Sequence, residues 1–87
     1  MTLEQIREEL NKIDAELVRL VARRQSFMPL VGKYKKENKL PINQPLREKE
    51  ILEHKKKMAD ELHVDNRLIE KIFKLLFVNG KSIQRKS

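Results

Sequence analysis

Residues 3–37 read LEQIREELNKIDAELVRLVARRQSFMPLVGKYKKE, and this stretch decides the fold. Apolar side chains recur at Leu3, Ile6, Leu10, Ile13, Leu17 and Leu20 in alternating steps of three and four. That spacing keeps them on one stripe of an α-helix, of the kind that forms a seam with another helix. Thr2 followed by Gln5 supplies a capping-box start. The same series continues through Arg24, Phe27, Val31 and Tyr34, so the helix is expected to run to about Glu37. Such a helix is roughly 50 Å long at 1.5 Å per residue. A compact chain of this mass has a radius of gyration of about 12 Å, so this one is expected to be elongated. Pro29 lacks a donor and crowds the preceding turn. Because the pattern keeps its register on both sides, a kink is expected there rather than an end.

Outward from this helix, Asn38 to Gln44 form a connection containing Pro41, and Pro45 suits the first position of a second helix. Its apolar stripe is thin: Leu46, Ile51, Leu52, Met58, Ala59 and Leu62, with Lys55, Lys56 and Lys57 expected in solvent. His63 and Val64 turn the chain, and Asp65 caps a third helix. Ile69, Ile72, Phe73, Leu76 and Ile83 are its expected inner face, widened by Leu68, Leu75 and Phe77. The expected architecture is all-α, one domain over residues 1–87, with three helices, the first long and partly kinked. Two short helices cannot cover the Leu3–Leu17 seam. An uncovered apolar stripe of that size marks an interface, and an intertwined helical homodimer is its simplest partner.

Composition narrows the function. The hydrophobic fraction is 39% and the charged fraction 38%, so a folded chain carries a densely charged surface. With no Cys, disulfides and thiolate metal sites are excluded. No apolar run reaches the roughly 20 residues of a membrane span, and no signal-peptide pattern opens the chain. A cytoplasmic protein without membrane association is expected. Twenty Lys and Arg against 13 Asp and Glu give a formal charge of +7. That excess draws anions: nucleic acid, acidic lipid or a small polycarboxylate.

The polar residues on apolar faces bear on that choice. Arg24 occupies a seam position between Leu20–Val21 and Phe27–Met28, where it needs an anion or must reach solvent at the kink. A structural salt bridge to one of the Glu residues is the plainer alternative. Lys35 lies three turns later on nearly the same face, with Met28 and Val31 between, or else it belongs to a solvated run with Lys33 and Lys36. On the third helix, Ile69, Phe73, Leu76, Gly80 and Gln84 follow one face. That points Gln84 inward, unless Gly80 ends the helix. Gln44, Arg47 and Glu48 open the second helix, where a Glu also simply complements the helix dipole. Arg7 flanks the seam and either reaches across a dimer or pairs with a neighbouring Glu. No nucleophile–base pair is apparent, His54 and His63 lack metal-pair spacing, and no Gly-rich phosphate loop is present. Several cations, one carboxylate and one amide suit a site that binds a small dianion and stabilises charge separation without covalent chemistry.

Ile13-Asp14 through Arg24, Gly32-Lys33-Tyr34-Lys35, Pro41, Arg47-Glu48, Ile72-Phe73 and Gln84 together resemble the all-helical chorismate mutases, over about residues 3–84. The resemblance implies a dimer of three-helix chains, with long first helices packed across the two-fold. It implies conversion of chorismate to prephenate, in aromatic amino acid biosynthesis, with no cofactor and no metal. By the same resemblance, Arg24 grips a substrate carboxylate, joined by Arg47 and by Arg7 from the partner subunit. Lys35 and Gln84 bond the ether oxygen, and Glu48 holds the ring hydroxyl. Gln44 stands where many members have an acidic residue, and Gly80 where a small hydroxyl residue is common; both remain substrate-binding candidates. With no dehydratase or dehydrogenase segment, a monofunctional enzyme is expected. An isochorismate pyruvate lyase shares the fold implied by the resemblance, but a carboxylate at Glu48 favours the mutase. The non-enzymatic alternative is a basic helical module binding nucleic acid through Lys55–Lys57, Lys81, Arg85 and Lys86. One Tyr and no Trp leave it little for base stacking, so no nucleic-acid partner is expected.

Overall fold

The computed structural model describes residues 1–87. Four helical segments follow in order: α1 (Leu3–Ser26), α2 (Met28–Glu37), α3 (Pro45–Glu61) and α4 (Asn66–Arg85). The capping box forms as expected, with Thr2 Oγ1 accepting from the Gln5 amide at 3.2 Å and Gln5 Oε1 accepting from the Thr2 amide at 2.8 Å. Asp65 Oδ1 likewise accepts from the Arg67 amide at 2.9 Å. That bond, made to the charged carboxylate, is the main reason its pKa lies below the usual aspartate value.

α1 and α2 are the two parts of the long first helix, separated by a single residue. The Phe27 amide bonds Arg24 at 3.2 Å, three residues back, and its carbonyl accepts from Val31 at 3.0 Å. Pro29 falls in the first turn of α2, where its missing donor costs least. The chain measures 55 × 24 × 14 Å with a radius of gyration of 16.1 Å. Two helical parts in near continuation account for the long dimension. The expected kink is therefore a one-residue turn at Phe27, two positions before the proline.

Two connections bend the chain back. Two residues past the ends of α2 and α3 stand residues of positive φ, Lys39 (54°) and His63 (58°). Beyond each, the chain bonds back to the last turn: Leu40 N–H to Lys35 at 2.8 Å, and Val64 N–H to Ala59 at 2.8 Å. These are Schellman closures made without glycine. They lay α3 and α4 against each other and α4 against α2.

The packed centre is small: Ala59 and Phe77 are its buried apolar residues, with Gly32, Gly80 and Gln84 beside them. Three expectations for the inner faces need correction. Phe77 lies inside rather than at the margin, while Ile72 is 38% exposed, because the inner stripe of α4 centres on Phe73, Phe77, Gly80 and Gln84. On α3 and its C-cap, Leu46, Met58 and Leu62 face outward, leaving Ile51, Leu52 and Ala59 as the packing set. Lys55 and Lys56 are half-buried rather than fully solvated, and Lys56 reaches Glu70 at 3.8 Å. No residue of α1 is buried. Leu3, Ile6, Leu10, Ile13 and Leu17 are 41–61% exposed. The seam found in the sequence is thus a continuous apolar face that the chain's own helices leave open. No helix is long and apolar enough to cross a membrane.

Candidate active site

The end of α1, together with α2, α3, α4 and the 38–44 connection, lines a half-open cavity of about 470 Å³. That is within the range that holds a small molecule. Its polar wall includes Arg24, Lys35, Gln44, Arg47, Glu48, Lys81 and Gln84, with Gly80 beside them and an apolar lining that includes Met28, Val31, Ile42, Ile51, Leu76 and Phe77. Seven of the eight sequence candidates therefore meet in one cavity; Arg7 lies on the exposed N-terminal half of α1, away from it.

Arg24 is half-buried, and none of the seven ion pairs includes it. The structural salt bridge considered from the sequence is absent. Instead the guanidinium stands 5.8 Å from the Phe73 ring centre and 5.9 Å from that of Phe77, and Nη1 donates to Gln25 Oε1 at 2.7 Å. Gln25 is held in turn by the Leu76 carbonyl (3.1 Å) and Asn79 Oδ1 (3.0 Å), so α4 orients the arginine indirectly. Burial lowers the pKa of Arg24 from its ordinary value. An arginine remains charged under these conditions, so a cation without a carboxylate partner faces the cavity.

Lys35 and Gln84 come together across α2 and α4. Lys35 Nζ donates to Gln84 Oε1 at 2.7 Å and to the Ile42 carbonyl at 2.8 Å. The amide oxygen of Gln84 is thereby occupied, and Nε2 lies 3.5 Å from Met28 Sδ on the cavity wall. Gln84 is buried, and α4 continues through Gly80 to Arg85; the reading in which Gly80 ends the helix is overturned. Desolvation lowers the Lys35 pKa; Glu48 opposes that shift and Lys81 adds to it.

Gly32 and Gly80 permit the approach. A Cβ on Gly32 would stand 2.6 Å from the Gln84 carbonyl oxygen and 2.8 Å from its Cα. One on Gly80 would stand 2.9 Å from Met28 Sδ. The first contact is backbone to backbone and sets the α2–α4 separation.

The start of α3 supplies the remaining groups. Glu48 Oε2 forms an ion pair with Lys81 Nζ at 2.9 Å. Gln44 Nε2 donates to the Pro41 carbonyl at 3.1 Å, and the exposed Arg47 pairs with Glu50 at 3.2 Å, leaving it at the rim. Sequence reasoning missed Lys81, which it placed in a terminal basic surface. It also missed Gln25 and the packing role of Gly32. One signal was legible: Lys81 lies four residues after Phe77 and three before Gln84, adjacent to the inner stripe. No group of His, Asp and Glu side chains is assembled to hold a metal ion.

Cations, an amide and a carboxylate around a half-apolar helical cavity have the chemistry of a site for a small polyanion. The chorismate mutase type II family model matches residues 6–85. A chorismate mutase from Methanocaldococcus jannaschii is 35% identical over 83 residues, 95% of this chain and 84% of that protein. The T-protein of Haemophilus influenzae is 33% identical over 72 residues, and the bifunctional chorismate mutase/prephenate dehydratase of Aquifex aeolicus 34% over 61. Those matches cover 83% and 70% of this chain but only 19% and 17% of the two longer proteins. The chain belongs to the chorismate mutase type II family.

Proposed function

We propose that the chain rearranges chorismate to prephenate by fixing a reactive conformer and stabilising the charge that develops as the ether bond breaks. The observation that carries this reading is the Lys35–Gln84 pair at 2.7 Å, lining the same cavity as the uncompensated Arg24. In a unimolecular rearrangement one C–O bond breaks while one C–C bond forms, and no atom enters or leaves. Catalysis then reduces to orientation and electrostatics, with no cofactor or metal required.

Each residue has a part. Arg24 takes a substrate carboxylate, because a desolvated guanidinium gains most from an anion able to accept two parallel bonds. Arg47 swings from Glu50 to join it on binding. Lys35 donates its remaining N–H to the ether oxygen, and Gln84 adds a donor from Nε2. Once the site is closed over the substrate, one such donor is worth about 3 kcal/mol. Glu48 accepts from the ring hydroxyl, and Gln44 and Gly80 line that side.

A second copy completes the site. The open face from Leu3 to Leu17 lies on the helix whose far end carries Arg24. Packing two such faces across a two-fold buries both and carries Arg7 of each chain toward the other's cavity. The homodimer and its shared sites are thus part of the same proposal. The test is incubation of purified protein with chorismate, followed by its loss of absorbance and by identification of prephenate. Absence of conversion, or release of pyruvate from isochorismate instead, refutes the reading.

A further inference from the structure

The Glu48–Lys81 pair stands apart from the other ion pairs. Its side chains are 26% and 19% exposed, whereas no member of the other six pairs is below 31%. Surface pairs are loose and nearly neutral energetically; a half-desolvated pair holds its geometry better. Lys81 is anchored twice, since Nζ also donates to Asn43 Oδ1 at 3.1 Å in the connection before α3. The ammonium therefore ties α4 to both the connection and the first turn of α3. Its pairing engages Glu48 Oε2 and leaves Oε1 with no hydrogen bond inside the chain.

We propose that Lys81 is a positioning residue for the reaction: it holds one oxygen of Glu48 so that the other faces the ligand's hydroxyl, and it keeps Glu48 off Lys35. This deepens the function proposed above and rests on it. The reasoning is one of competition. A carboxylate in a cavity lined by cations collapses onto the nearest one that is free. Lys35 is close enough for the charges of Glu48 and Lys81 to act on it in opposite senses. If Glu48 turned to Lys35, it would neutralise the charge needed at the ether oxygen and draw that ammonium from Gln84. Lys81, held by Asn43 in the connection, offers Glu48 a different partner. It separates hydroxyl binding from ether-oxygen stabilisation within one small site.

The test compares kcat and KM on chorismate for the wild-type chain, Lys81→Met, Lys81→Arg, Glu48→Gln and the double variant Glu48→Gln/Lys81→Met. Lys81→Met is expected to lower kcat about tenfold or more, with Lys81→Arg recovering most of the loss. In the Glu48→Gln background, Lys81→Met is expected to add less than about twofold, because its effect passes through the carboxylate. Urea midpoints establish that each variant is folded, and Lys81→Gln replaces Lys81→Met if the latter is not. An active wild-type chain whose Lys81→Met variant matches it overturns this inference alone. So does a full, additive loss in the Glu48→Gln background. A wild-type chain inactive on chorismate overturns the underlying reading and this inference with it.

Discussion

Gly32→Ala perturbs the site without altering any of its polar side chains. The added methyl carbon would sit 2.6 Å from the Gln84 carbonyl oxygen, 2.8 Å from its Cα and 3.1 Å from its carbonyl carbon. Ordinary contact begins near 3.4 Å, so α2 and α4 must part by about 0.8 Å. No rotamer change relieves a clash with backbone. Overpacking of this kind costs about 1–3 kcal/mol, and replacing a mid-helix glycine by alanine returns up to about 1 kcal/mol. The net loss of stability is therefore expected to be about 0–3 kcal/mol. Activity is expected to suffer more. Lys35 is on α2 and Gln84 on α4, so parting these helices stretches their 2.7 Å bond directly. A misplacement near 1 Å can cost up to about 100-fold in rate, and a fall in kcat of about 10- to 100-fold is expected here. Gly80→Ala is the internal comparison. Its methyl would meet the flexible thioether of Met28 at 2.9 Å, which can move aside, so the loss is expected to be smaller. Saturating turnover from chorismate absorbance, paired with urea unfolding, measures both quantities. A Gly32→Ala variant with kcat within about twofold of wild type would show that this backbone contact does not set the geometry of the pair.

Three further outcomes follow from the same structure. Lys35 must be protonated to carry its charge and a third N–H for the ether oxygen, and burial lowers its pKa, so turnover is expected to fall as pH rises through a value below that of free lysine. The stability contribution of Lys35 has the opposite sign, since burying its charged form opposes folding and that penalty fades as pH rises. A pH–rate profile whose alkaline limb does not change in Lys35→Arg would refute the assignment. Leu10→Glu together with Leu17→Glu is expected to give monomers in sedimentation, because each leucine buried at an interface contributes about 1.5–3 kcal/mol. An unchanged dimer would place the interface elsewhere. His63→Gly is expected to raise the urea midpoint by up to about 1 kcal/mol in stability, as φ of 58° costs a side-chain-bearing residue and not glycine. A lowered midpoint would show that the imidazole contributes more than its backbone strain.

Much of this was legible because the chain obeys a simple period. Steps of three and four placed Leu3 to Leu17 on one face, and the same count carried Arg24 and Lys35 to the cavity. Gln84 was legible for the same reason on α4. The helix boundaries near Thr2, Pro45 and Asp65 followed from capping chemistry, which is local. What escaped depends on contacts between distant segments. Ile72 and Phe77 are both apolar on one helix, and only the tilt of α4 against α2 and α3 decides which is buried. Lys81 reads as a terminal basic residue until α3 brings Glu48 within 2.9 Å. Gly32 shows no special dihedral, and its role appears only in what its missing side chain allows. The departure at Phe27 is subtler: Pro29 was the visible breaker, but the irregular residue precedes it because the proline occupies the first turn of the new helix.

In the proposed homodimer each site draws Arg24 from one chain and Arg7 from the other. Arg7→Ala and Arg24→Ala are each expected to be folded and nearly inactive on chorismate. Unfolded together and refolded as a mixture, they form heterodimers in which one site keeps both arginines and the other neither. With random pairing, about a quarter of wild-type activity is expected to return. A mixture that reassembles into dimers yet remains as inactive as its components would contradict the shared site.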